Sequence, residues 1–391
     1  MPRRSRDRED RLGQLLTQVE RRFQNSPLEA IGRMLTGTLT EIRESALSNP
    51  TPDEAVTRIA DYTSVFLRLL PSTFGERFTF DFNILSALVA DCTQLSELPQ
   101  SNYVPRPSSG WGHQIVRMPA AAGRSTPFFD LIHVPGEDNL SDVNLLEYPF
   151  ACHELGHELL KKQGDGFRIA FSKSLDEVAN GLQRQTLALQ GSAKEIAAET
   201  IAGIRRFWTP TDDHFNWAHE IAVDIVALWT CGPAYIAALH DVMERPETNP
   251  YQLDQDHPPY ELRAKALIEA AIPLGWSYYT GEYHNLLDAW TKSHWARGRA
   301  NLYAACADTR LVTSSVEAAL DACRSLLLPC CTPTILDSIR AKLSDQELPD
   351  LGLELITAAW LHRNGGTEEA YLEWEGNAIR GHLDIIKALD H

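Results

Sequence analysis

The chain has 391 residues, 43% of them hydrophobic and 23% charged, with 36 basic against 53 acidic side chains and a formal charge of -17. That length exceeds one ordinary domain, the composition is that of a globular protein, and the negative charge disfavours nucleic acid or acidic membranes as partners. Seven cysteines, odd in number and without zinc-finger spacing, read as buried packing in a reducing compartment, the adjacent Cys330 and Cys331 included.

The first residues carry Arg3, Arg4, Arg6, Arg8 and Arg11 with no apolar stretch behind them, so they do not read as a secretory signal. No later run reaches the roughly 18 apolar residues of a membrane span. The expectation is a cytoplasmic chain. From Arg8 to about Ser48, apolar residues recur every three or four positions (Leu12, Leu15, Leu16, Val19, Phe23), which predicts an amphipathic helix broken near Ser26-Pro27. Helices are also predicted over Asp53 to Leu70 and Phe82 to Ala90.

Between Gln100 and Pro149 the texture changes to Pro, Gly and Ser, interrupted by two short runs, Gln114 to Met118 and Phe128 to Val134, that read as strands. Helical patterns then resume at Ser174 to Leu189, Ser192 to Phe207, Phe215 to Thr230 and Tyr260 to Ala271. After about Gly298 the chain is again helical, punctuated by Pro329, Pro333 and Asn364-Gly365-Gly366. The expected fold class is mainly α with a small β-sheet (α+β): a helical region over 1-100, a core over 101-298 and a helical region over 299-391.

Within that core, His153-Glu154-Leu155-Gly156-His157 places two histidines four residues apart on one helical face, so both imidazoles can reach one ion. Glu154 stands beside the first of them, where its carboxylate can take a proton from an attacking water and hand it to a leaving amine. A catalytic zinc needs a third protein ligand. A third histidine six residues beyond the second is absent, because Gln163 stands there and Leu160 replaces the intervening glycine.

The segment Trp217 to Asp224 offers a glutamate instead. Glu220 and Asp224 share a helical face in an otherwise apolar helix (Ile221, Ala222, Val223, Ile225, Val226), and carboxylates in such company need partners. Glu220 can ligate while Asp224 accepts a hydrogen bond from a ligating imidazole. The neighbouring His219 is an alternative ligand, but adjacent helical residues project about 100° apart.

A His-Glu-x-x-His helix followed by Glu-x-x-x-Asp on another helix resembles the gluzincin clan of metallopeptidases. The 63 residues from His157 to Glu220 are more like the family of the CAAX prenyl endopeptidase and the bacterial heat-shock membrane protease. Asp256-His257-Pro258-Pro259-Tyr260-Glu261-Leu262-Arg263 is similar to that family's downstream His-Pro-x-x-x-x-Arg element. The resemblance covers about a third of the chain, roughly residues 148 to 270. It implies a zincin-like core in which His153, His157 and Glu220 bind zinc, Glu154 is the base, Asp224 supports a ligand, and His257 and Arg263 lie close by. The family's members span membranes and this chain has no such helix, so a relative without a span is expected.

The expected activity is hydrolysis of a peptide or protein substrate, laid along the Phe128 to Val134 strand, with the helical ends available to a regulatory partner. His257, Tyr251, Tyr260, Tyr283 and His284 are the candidate donors to the oxyanion. Two other readings remain open: an aminopeptidase or other amidohydrolase, and a helical interaction protein that keeps a metal site without activity.

Overall fold

A computed structural model of the chain describes residues 76–93, 103–108, 115–117, 130–135 and 145–389, except 211–215, 247 and 298–300, together with Gly13, Leu16, Thr17, Thr36 and Thr40. The helices expected over Arg8 to Ser48 and Asp53 to Leu70 lie outside the described residues, those isolated positions apart.

The fold is mainly α, and this corrects the α+β expectation. The chain divides into two compact units, the first of Met1–Ser86, Gln100–Val143 and Gly376–His391, the second of Ala87–Pro99 and Asn144–Glu375. Among the described residues of the second unit there is no strand, so the helix carrying His153 packs against helices and not under a sheet. In the first unit three short segments pair: β1 (Tyr103–Ser108) runs parallel to β3 (Asp130–Pro135), and β2 (Ile115–Arg117) antiparallel to it. Phe128 and Phe129 of the expected Phe128 to Val134 strand lie outside the described residues.

The helices of the second unit begin and end where local chemistry dictates. We number the described helices in chain order: α1 (Glu76–Thr93), α2 (Pro149–Gln163), α3 (Asp165–Thr186), α4 (Ser192–Trp208), α5 (Trp217–Cys231), α6 (Pro233–Met243) and α7 (Tyr260–Leu274). Beyond them come α8 (Gly281–Lys292), α9 (His294–Arg297), α10 (Asn301–Cys306), α11 (Thr309–Ser325), α12 (Pro333–Ser344), α13 (Leu353–Gly365) and α14 (Glu368–Leu389). Proline at the first position starts α2, α6 and α12, where its missing N–H costs nothing. Asn216 caps α5 by accepting from the backbone N–H of His219 at 3.0 Å. Gly232, at φ 57°, ends α5 and lets the chain turn at once into α6.

Helix α5 is the centre of the unit. Every one of its residues is buried except His219, which is why its sequence shows an almost continuous apolar run in place of an amphipathic stripe. It packs against α2 and α11, and α11 in turn packs against α3 and α7. The crossing of α2 and α5 depends on one residue within the histidine motif. A Cβ on Gly156 would stand 3.2 Å from Val223 Cβ and 3.3 Å from Val226 Cβ, so glycine is what lets the two helices approach this closely. Gly156→Val should destabilise the protein by about 1–3 kcal/mol through overpacking. Urea unfolding measures this, and an unchanged midpoint would mean that the crossing has room to spare. Among the described residues no helix is long and apolar enough to cross a membrane.

Candidate metal centre

Helix α2 supplies His153, Glu154 and His157, whose ligand atoms all lie within 4.8 Å of one another, a His-Glu-His group that can hold a metal ion. Helix α5 brings a second carboxylate to the same place. His153 Nε2 is 3.5 Å from Glu220 Oε2, and His157 Nε2 is 3.5 Å from Glu220 Oε1. Both imidazoles and Glu220 are buried, Glu220 to 1% exposure, and Oε2 of that glutamate has no hydrogen-bond partner.

These distances and that orphaned oxygen test whether a cation fits. A buried carboxylate oxygen without a donor is costly, and at 3.5 Å from an imidazole nitrogen the contact is too long for a good hydrogen bond. Ligand atoms placed about 2.0–2.1 Å from a shared ion in tetrahedral geometry stand about 3.3 Å apart. Each Nε2 stands 3.5 Å from a different oxygen of the Glu220 carboxylate, close to the spacing of two donor atoms around one ion. The residues fit the group.

Comparison with known protein families, curated proteins and solved structures finds no match.

The histidines are held from behind. His153 Nδ1 donates to Asp224 Oδ1 at 2.9 Å, one turn along α5 from Glu220, and lies 3.1 Å from the Tyr235 hydroxyl. With one proton held at Nδ1 by Asp224, a bound ion would find Nε2 free on the side facing Glu220. Asp224 is itself fully buried and accepts from Arg263 Nε at 2.8 Å, from Arg263 Nη2 at 2.7 Å and from Tyr235 OH. The guanidinium fork of Arg263, on α7, thus neutralises the one carboxylate that orients His153. On the other histidine, His157 Nδ1 is 3.0 Å from His219 Nε2.

The electrostatics follow from burial opposed by these contacts. Burial would raise the Asp224 carboxyl, but the adjacent Arg263 and His153 hold it well below the ordinary range. Burial likewise opposes ionisation of Glu220, yet His157 and His153 bring it down to about 2. His153 is pushed down by burial but carried up to about 10 by Asp224 and Glu220, while burial drives His157 well below its usual value and His219 to about 4. In the metal-free chain a proton on His153 and the Arg263 guanidinium therefore together balance the two carboxylates Glu220 and Asp224. A bound cation would take over that role, with release of the proton.

Glu154 differs from its neighbours in exposure. Along Ala151–Leu160 it is the single residue that is not buried.

The remaining expected residues divide. His257 is exposed and contacts Asp254 at 3.8 Å. Tyr283 donates its hydroxyl to the Ile236 carbonyl at 2.8 Å, Tyr251 is buried against the ring of Tyr303, Tyr260 lies under the Arg263 guanidinium, and His284 is exposed. Cys152 turns its buried thiol to Cys231 and Cys92, so it packs behind the motif, and all seven cysteines are free thiols. Sequence reasoning missed Tyr235. It lies in the first turn of α6, and no local spacing marks it as a partner of Asp224.

Proposed function

We propose that the protein is a zinc-dependent hydrolase that cleaves peptide bonds, with His153, His157 and Glu220 holding the ion and Glu154 acting as general base. The observation that carries this reading is the Glu220 carboxylate, buried, with one oxygen lacking a hydrogen bond, and 3.5 Å from both imidazole Nε2 atoms. Two imidazoles and a carboxylate are the donor set zinc accepts when a further position is left open for chemistry. When bound, zinc would supply Lewis acidity to the substrate carbonyl and to water.

The protein's own groups do the rest. Asp224 fixes the His153 tautomer, and Arg263 keeps Asp224 ionised within its apolar helix. Glu154, partly exposed at the edge of the buried group, is available to accept a proton from water and return it to the leaving amine. A site kept for structure alone needs no such carboxylate at its opening. The assignment to peptide bonds rests on the resemblance of the His-Glu-x-x-His and Glu-x-x-x-Asp elements to gluzincin peptidases.

Glu154→Gln is expected to retain the wild-type zinc content while lowering hydrolysis of an unfolded protein substrate by about 10²–10⁴-fold. Elemental analysis and a casein-type cleavage assay read the two quantities. Wild-type protein that binds no zinc, or a Glu154→Gln form that cleaves at the full rate, overturns the reading.

A further inference from the structure

Asp224 orients one of the two histidines, and the other is oriented by a different kind of group. The near-parallel rings of His157 and His219 have centroids 5.1 Å apart and planes 15° apart, with His219 Nε2 3.0 Å from His157 Nδ1. A ring nitrogen lies within one bond length of its ring centre. A separation of 5.1 Å with an N···N distance of 3.0 Å therefore puts both nitrogens near the line joining the rings. This is an in-plane hydrogen bond between imidazole edges, not face-to-face stacking.

The donor and acceptor follow from the metal reading, on which this inference rests. With an ion held between His157 Nε2 and Glu220, Nε2 would carry no proton, so the neutral ring would be protonated at Nδ1 and His219 Nε2 would be the acceptor. The backbone places His219 firmly for this task. Its N–H is held by the Asn216 side chain at 3.0 Å, and Asn216 in turn donates its side-chain N–H to the Thr209 carbonyl at 3.1 Å. His219 is also the one residue of α5 that is not fully buried, so a ring in an otherwise apolar helix faces the motif and not the core.

We propose that His219 is the positioning residue for His157: its Nε2 accepts the His157 Nδ1 proton and so presents His157 Nε2 to the metal. One ligand is thus backed by a carboxylate and the other by a neutral imidazole. A neutral acceptor orients its ligand without adding negative charge to the site, which leaves the ion less compensated than a second carboxylate would.

The test is zinc affinity of the full-length chain, measured by competition with a chromophoric chelator, for wild type, His157→Ala, His219→Ala and His219→Gln. His219→Ala should weaken binding by about 10–100-fold, the loss usual for the partner of a ligand. His219→Gln carries an amide oxygen at the position of Nε2 and should restore affinity to within a few-fold of wild type. Wild-type affinity in His219→Ala, or no rescue by Gln, overturns the proposal. Wild-type affinity in His157→Ala would instead remove the metal site itself. Nitrogen-15 correlations of the zinc-loaded wild type give a second readout that needs no variant to fold: His157 should be protonated at Nδ1 with His219 Nε2 bare, and a proton on His219 Nε2 overturns the proposal.

Discussion

Removal of the Glu220 carboxylate is expected to empty the site. Glu220→Ala should lose zinc by more than the roughly 10–100-fold typical of losing a partner behind a ligand, because a donor itself is removed. In the native chain its two oxygens stand 3.5 Å from His153 Nε2 and His157 Nε2, and α5 offers no other carboxylate in that turn. Zinc content equal to wild type would show that Glu154, not Glu220, completes the His-Glu-His group. The same substitution has a signature in acid. Burial opposes ionisation of Glu220 but His157 and His153 hold its pKa at about 2, below the ordinary 4.5. Its contribution to stability in the metal-free chain is therefore present above pH 4.5 and lost as pH falls towards 2. Acid unfolding of Glu220→Ala should lack that component.

Cutting the arginine from Asp224 is expected to be the most damaging single change to stability. Arg263→Met keeps much of the volume but strands a fully buried carboxylate that has lost both of its guanidinium hydrogen bonds. Breaking one side of a buried pair in this way costs about 3–5 kcal/mol. Asp224→Asn in the same chain removes the stranded charge and should recover part of the loss, giving a coupling of about 0.5–3 kcal/mol in a double-mutant cycle. Denaturant unfolding of the four proteins measures it. Additive effects would mean that Arg263 and Asp224 act independently. Arg263 of the His-Pro-x-x-x-x-Arg element thus supports a ligand's partner from inside the core, while His257 of the same element stays exposed on the surface.

The local features of the site were legible because helical periodicity is a local property. His153 and His157 at one turn's spacing, and Glu220 and Asp224 at the same spacing in an apolar run, each share a face whatever the rest of the chain does. The helix limits read from the pattern, Ser192 to Phe207 and Phe215 to Thr230, fall within two residues of α4 and α5, since caps and prolines act over a few residues. The fold class was misread for a related reason. The runs at Gln114 to Met118 and Phe128 to Val134 are short apolar segments between Pro, Gly and Ser, and such segments say nothing about how much of the fold a sheet will make up. The long apolar helices make the core by packing on one another.

The sequence by itself determined which side chains could meet a metal: two imidazoles on one helix, an acidic pair buried by its own apolar neighbours, and a candidate base. Tertiary structure alone decided how they are held. Tyr235 reaches Asp224 across the turn at Gly232, Arg263 arrives from α7, and His219 meets His157 edge to edge. These contacts depend on the angle and closeness at which helices cross, and at α2 and α5 that closeness rests on Gly156 against Val223 and Val226. Crossing geometry is set by side chains far apart in the chain, so no window of the sequence contains it.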